Sequence, residues 1–123
     1  IIAYKRDDLI AAEEYLKKSL EINEKLGRVG GLARVYCNLG VVERTRGNLD
    51  AAEEYSEKSL AINEKLGRAE GLANTYHNLG LIAEKRSNIL EAKRFLTLAC
   101  ELAKKLGAQA LEAEIQQDLA RLT

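Results

Sequence analysis

The chain has 123 residues, enough for one domain or a short array of small units. Its 19 basic and 19 acidic side chains give a formal charge of zero, which argues against nucleic acids and anionic membranes as partners, because both select basic surfaces. No apolar run approaches the roughly 18 residues of a membrane-spanning helix. The lack of proline and the abundance of Ala, Leu, Glu and Lys favour an all-α fold.

The two cysteines do not indicate a metal site, but they do indicate a redox compartment. Cys37 and Cys100 are 63 residues apart and lack the close Cys or His spacing of metal sites. Isolated thiols favour a reducing, cytoplasmic location over a disulfide framework. We therefore predict no metal and no other cofactor. The chain begins at Ile1 and contains no methionine, so we expect it to be a piece of a longer protein.

The sequence repeats itself with a period of forty residues. Residues 11–50 and 51–90 are identical at 24 of 40 positions, and "AAEEYLKKSLEINEKLGR" returns as "AAEEYSEKSLAINEKLGR". A third copy, "EAKRFLTLACELAKKLGA", keeps the apolar skeleton. Such self-similarity is typical of a solenoid whose units bury their faces on one another.

Each repeat divides into a first helix, helix A, and a second helix, helix B. In chain order we predict a leading helix B over 9–26, repeats over 31–66 and 71–106, and a closing helix A over 109–122. Helix B has small or apolar residues at alternating spacings of three and four. In the middle copy these are Ala52, Tyr55, Ser59, Ile62 and Leu66. A glycine follows each helix B, which predicts a left-handed closing residue.

The phrase Tyr-x-Asn-Leu-Gly occurs in helix A of both repeats, at 36–40 and 76–80. Glycine inside a helix costs about 1 kcal/mol relative to alanine. Gly40 and Gly80 therefore predict a close approach to the returning helix B, at Ala52 and Ala92.

These residues resemble the tetratricopeptide repeat signature, W-x2-L-G-x2-Y followed by A-x3-F and P. The matching places are Tyr36, Leu39, Gly40 and Ala52, and again Tyr76, Leu79, Gly80 and Ala92. Glu43 and Ala83 stand where the second aromatic belongs. The forty-residue period is similar to that of Leu-Gly-Asn repeat adaptors and of bacterial repeat proteins. The resemblance implies an all-α, right-handed superhelix of antiparallel helix pairs.

The resemblance also implies a function. In the family, the A helices line a concave groove that holds a peptide or helix of a partner protein, so the chain is expected to be a non-catalytic scaffold and adaptor. Carried over to this sequence, the groove residues are Arg34, Cys37, Asn38, Val41, Arg44, Asn74, His77, Asn78, Leu81, Glu84, Glu114, Gln117 and Arg121.

Two alternatives stay open within this groove. The amides of Asn38 and Asn78 could grip the backbone of a bound peptide, or they could tie adjacent helices together. Cys37 and His77 could in principle be a nucleophile with its base, or metal ligands. The sequence offers no second histidine and no evident group to orient a base. We therefore predict no catalytic residue and no enzyme activity.

The leading helix raises a second hypothesis. Its small and apolar side has no preceding helix A to cover it. The residues on that side are Ala12, Tyr15, Ser19, Ile22 and Leu26. We expect this face to be exposed within a single copy of this chain. Another repeat would cover it in the longer protein, or a second copy of the chain would cover it in this fragment. Self-assembly through the exposed ends of the array is thus the alternative function.

Overall fold

The structure is a computed structural model that describes residues 6–122. In that range the chain forms six α-helices and no strand. They are α1 (Arg6–Leu26), α2 (Val29–Arg46), α3 (Leu49–Leu66), α4 (Ala69–Lys85), α5 (Ile89–Leu106) and α6 (Gln109–Arg121). The all-α fold and the helical repeat solenoid are confirmed. None of the described helices combines the length and the apolar composition needed to cross a membrane.

The helices alternate between the two predicted types. The A helices are α2, α4 and α6, and the B helices are α1, α3 and α5. The pairs α2–α3 and α4–α5 make the most extensive contacts, and α2 also contacts α4, so these two A helices lie side by side. α1 begins at Arg6 instead of residue 9, and α2 and α4 each begin two residues before the predicted repeats.

The core lies between the A and B helices. Its largest fully buried apolar side chains are Leu39, Ile82, Leu96 and Ile115. Small residues such as Ala52 fill the space between them and let the helices approach closely. In α3 and α5 the predicted face of helix B is buried or half-buried except at its last turn. Leu66 and Leu106 are exposed at the last turn of α3 and α5, and Ser56 and Asn63 are buried although they were not predicted.

Aromatic stacking joins α2 to α3 and α4 to α5. The ring centroids of Tyr36 and Tyr55 are 6.2 Å apart, and those of Tyr76 and Phe95 are 6.1 Å apart. Offset stacking of this kind contributes about 0.5 to 1.5 kcal/mol beyond the burial of the rings. The aromatic residues of the repeated phrase are therefore structural.

Both glycines of the repeated phrase lie against helix B. A Cβ on Gly40 would be 2.5 Å from Ser56 Oγ and 3.3 Å from the carbonyl oxygen of Ala52. A Cβ on Gly80 would be 2.7 Å from Leu96 Cδ2. The atoms closest to Gly80 belong to Leu96 and not to the predicted Ala92. Leu96 occupies the repeat position of Ser56 and is longer.

The A-to-B turn of the second repeat contains a strained residue. Glycine follows α2 at residue 47 with φ of 88°, whereas Ser87 takes the same place after α4 with φ of 62°. A side chain in this left-handed region costs about 1 to 2 kcal/mol. We expect Ser87→Gly to raise the free energy of unfolding by about 1 kcal/mol. Chemical denaturation measures this.

Gly47→Ser is the matched control for that substitution. A Cβ at residue 47 has no heavy atom within 4 Å, so backbone strain is the main cost of the new side chain. Gly47→Ser should therefore destabilise the chain by a similar amount. If Ser87→Gly leaves the stability unchanged or lowers it, the strain argument is wrong.

One carboxylic acid is buried in place of the expected aromatic residue. Glu43 is 6 % exposed, and its Oε2 accepts a hydrogen bond of 2.7 Å from Asn48. Burial raises the pKa of Glu43, and the neighbouring carboxyl of Glu13 raises it further. The pKa of Glu13 is lowered, chiefly by its hydrogen bond with Glu43. Arg46 contacts both carboxyl groups.

This arrangement predicts a stabilising substitution whose effect depends on pH. Because the folded-state pKa of Glu43 lies above its unfolded value, its protonated form stabilises the fold at acidic pH, and that stabilisation is lost as pH rises through the folded pKa. Glu43→Gln keeps the Asn48 bond and needs no proton. We expect it to raise the free energy of unfolding by about 0.5 to 1.5 kcal/mol at neutral pH.

Melting curves of Glu43→Gln and the parent, recorded from neutral pH down to the unfolded pKa of a glutamate, test this. The difference between the two proteins should shrink as the pH falls. Glu57→Gln, at an exposed position of α3, is the control and should change little at any pH. A destabilised Glu43→Gln at neutral pH would contradict the raised pKa of Glu43.

Candidate binding groove

A cleft of about 500 Å³ opens on the side of the array formed by the A helices. Ten of the thirteen predicted groove residues line it, namely Arg34, Cys37, Asn38, Val41, Arg44, Asn74, His77, Asn78, Leu81 and Glu114. Glu84 and Arg121 line a second cleft that shares Arg44 and Leu81 with the first. Gln117 is exposed on α6 and lines neither of these two clefts.

The two asparagines of the repeated phrase differ in their surroundings. Asn78 is only 3 % exposed, its Nδ2 donates to Ser56 Oγ at 2.8 Å, and its Oδ1 accepts from Arg44 at 2.8 Å. This amide ties α4 to α3 and α2. Asn38 is exposed and makes no hydrogen bond among the described residues, since Leu16 takes the repeat position of Ser56. The helix-tying interpretation therefore fits Asn78, and Asn38 keeps its amide free.

His77 takes part in a polar network between α4 and α6. The side chain is 8 % exposed, and its Nε2 lies 2.7 Å from Asp118 Oδ2. The other carboxylate oxygen of Asp118 accepts a bond of 2.7 Å from Arg121, which also donates to both oxygens of Glu84 at 2.7 and 3.1 Å. The expectation that nothing orients His77 is wrong, because Asp118 does so from 41 residues further along the chain.

Cys37 is half-buried beside the cleft and is a poor nucleophile. Burial raises the pKa of its thiol, although the Thr75 hydroxyl and the positive charge of Arg44 act in the opposite direction. The neutral thiol is therefore favoured over the thiolate that nucleophilic chemistry requires. Among residues 6–122, no group of three His, Cys, Asp or Glu side chains is placed to hold a metal ion.

Sequence reasoning missed Asn63 and Arg68, which also line the cleft. Asn63 Nδ2 donates to Ser59 Oγ at 3.1 Å, while its Oδ1 is buried without a hydrogen-bond partner. The side chain packs against Gly71, where a Cβ would lie 2.2 Å from Oδ1. The repeat contained a signal for this contact. The Asn63–Gly71 pair recurs as Asn23 and Gly31, and the third copy replaces both residues together, with Ala and Leu.

Three cleft residues occupy one repeat position and are free to meet a ligand. Arg34 on α2, Asn74 on α4 and Glu114 on α6 are each separated by forty residues. All three are exposed, and none makes a hydrogen bond or an ion pair with another described residue. We call these three residues the outer row. The outer row differs from His77 and Asn78, which are buried and whose polar atoms already have partners in the fold.

The comparisons with known proteins agree with this architecture. A search of the curated proteins finds none that matches the chain. The family model for the tetratricopeptide repeat matches residues 1–65 and 31–105, which together span most of the sequence. Since the matched region is the region of paired A and B helices, the chain belongs to the tetratricopeptide repeat family.

Proposed function

We propose that the chain is a non-catalytic scaffold that binds a peptide or helical segment of a partner protein in the cleft lined by α2, α4 and α6. Tetratricopeptide repeats generally mediate protein–protein interactions. The observation that carries the proposal is the set of unengaged polar side chains that face one cleft. They are Arg34, Asn38, Asn74 and Glu114.

Other residues of the cleft have one of two roles in the proposed site. Val41 and Leu81 supply apolar surface beside the free polar groups. Arg44, His77 and Asn78 have polar atoms bonded to neighbouring helices and so hold the walls in place. A wall fixed before binding lowers the entropic cost of ordering side chains around a ligand. A cytoplasmic location remains a prediction from the sequence.

Selection from a displayed library of random peptides tests the groove. Peptides that bind the immobilised chain are expected to lose about tenfold in affinity to Asn38→Ala/Asn74→Ala, because each lost amide contact is worth about 0.5 to 1.5 kcal/mol. Gln109→Ala removes an exposed amide outside the cleft and is the control. Both variants should melt like the parent.

Two results would contradict the proposed binding function of the groove. One is that no peptide is selected. The other is that selected peptides bind the Asn38→Ala/Asn74→Ala variant as tightly as the parent.

A second candidate function is self-association through α1. Tyr15 is 73 % exposed, whereas Tyr55, at the same repeat position, stacks on Tyr36. Ile22 and Leu26 extend this exposed apolar stripe along α1. The occupant that fits is a second copy in antiparallel orientation. The acidic first turn of α1, at Asp7 and Asp8, would then lie beside the basic last turn of the other copy.

Sedimentation over a range of concentrations distinguishes this candidate from the groove scaffold. Dimers that dissociate when Tyr15→Glu is introduced would support it. Leu90→Glu is the matched control, since Leu90 is exposed to a similar degree but lies on α5. A chain that remains monomeric at all concentrations would exclude self-association as a function and leave the groove proposal intact.

A further inference from the structure

The charges of the cleft change sign from one end to the other. In the outer row, the A helices present arginine on α2, asparagine on α4 and glutamate on α6. A second basic side chain of α2, Arg44, also lines the cleft. On α4 the further charged residue of the cleft is acidic, at Glu70. The lining is thus basic on α2 and acidic on α4 and α6.

The two ends of the outer row are available for pairing. Arg44 donates to Asn78, and Arg68 donates to the carbonyl oxygen of Gly30 at 3.1 Å, so both have structural partners. Arg34 and Glu114 have no ion pair or hydrogen bond with the described residues. A ligand therefore meets one unpaired positive charge at Arg34 and two unpaired negative charges, at Glu70 on α4 and at Glu114 on α6.

Building on the proposed groove function, we propose that the cleft selects an extended peptide segment with one acidic and one basic side chain. The acidic side chain pairs with Arg34 and the basic one with Glu114. The amide of Asn74 lies between them and bonds the peptide backbone. A segment of uniform charge is disfavoured, because one of its ends would face a like charge.

Helix packing fixes the spacing of the two ligand charges. α2 and α4 are in contact, and α6 is joined to α4 through His77 and Asp118. Because packed helices lie about 10 Å apart, we expect Arg34 and Glu114 to be about 20 Å apart across two steps of the array. An extended chain rises about 3.3 Å per residue. The acidic and basic side chains are therefore expected about six residues apart. At this even spacing, both side chains point to the same side of an extended peptide.

Four end-blocked synthetic peptides test the proposal, each carrying two charged residues about six positions apart in the same neutral sequence. The charged pairs are Asp–Lys, Lys–Asp, Asp–Asp and Lys–Lys. We expect the two mixed peptides to bind the parent about three- to tenfold more tightly than the other two, a difference that shrinks in high salt. Fluorescence anisotropy with labelled peptides measures the four affinities.

Charge reversal identifies the residues responsible. Arg34→Glu should change the preference to Lys–Lys, and Glu114→Lys should change it to Asp–Asp. The double variant Arg34→Glu/Glu114→Lys should recover the preference for mixed peptides. Lys93→Glu, an exposed charge of α5 outside the cleft, should leave the order of affinities unchanged.

The outcomes separate this inference from the proposed function. Equal affinity for all four peptides, or preferences that do not follow the reversed charges, would overturn the charge selection. So would failure of all four peptides to bind while library-selected peptides still require Asn38 and Asn74. In each of these cases the groove function survives. Failure of both the designed and the library-selected peptides to use the cleft would overturn both proposals.

Discussion

Gly80→Val is expected to lower the free energy of unfolding by about 1 to 3 kcal/mol through overpacking. A Cβ at residue 80 would lie 2.7 Å from Leu96 Cγ and Cδ2 and 3.3 Å from the backbone nitrogen of Leu96. The leucine side chain is fully buried and has little room to move, and the backbone nitrogen belongs to α5 itself. Urea denaturation and thermal melting measure the loss.

Two controls isolate the close approach from other effects of valine. Ala61→Val places a β-branched residue at an exposed position of α3 and reports the cost of helix propensity alone. Gly80→Ala should cost less in a Leu96→Ala background than in the parent, because the contact has been removed. If Gly80→Val melts like the parent, the close packing of α4 against α5 does not depend on glycine at this position.

Features determined by position within the repeat were predictable from the sequence. The forty-residue period, the helix pairs and the left-handed glycine after each B helix recur with the same residues, so each copy supports the others. Tyr36 and Tyr76 likewise stack on an aromatic residue of the following B helix, and Gly40 and Gly80 both lie against that helix. Architecture is therefore the part of the repeated phrase that the structure confirms.

Features determined by pairs of residues on different helices were not predictable in this way. Asn38 and Asn78 sit in nearly identical phrases, yet only Asn78 faces a hydroxyl group, since the partner position is Leu16 in one copy and Ser56 in the next. His77 finds Asp118 only after α6 folds back beside α4. A sequence pattern within one helix contains no information about these contacts.

The same distinction decides which groove residues are open to a ligand. A polar side chain whose atoms already have partners in the fold must break those bonds before it binds a peptide, and each broken bond in a buried site is costly. Asn78 and His77 fall in this class. Arg34, Asn74 and Glu114 do not, and for this reason the outer row is our proposed site of ligand recognition.

Asn78→Ala is expected to lower the free energy of unfolding by about 1 to 3 kcal/mol, because it leaves polar groups without their partners. The substitution removes the bond to Ser56, whose hydroxyl is fully buried between α3 and α4. It also removes the acceptor that holds the Arg44 guanidinium against α4. Chemical denaturation of the variant, followed by circular dichroism, gives the change in stability.

Asn38→Ala is the matched comparison, since it makes the same chemical change at the same repeat position. Its amide is exposed and has no partner among the described residues, so the variant should stay within about 0.5 kcal/mol of the parent. A double variant should then melt like Asn78→Ala alone. Equal destabilisation by the two single substitutions would mean that both amides tie helices together, and Asn38 would no longer be available to a ligand. A stable Asn78→Ala variant would instead restore both amides as candidates for gripping a peptide backbone.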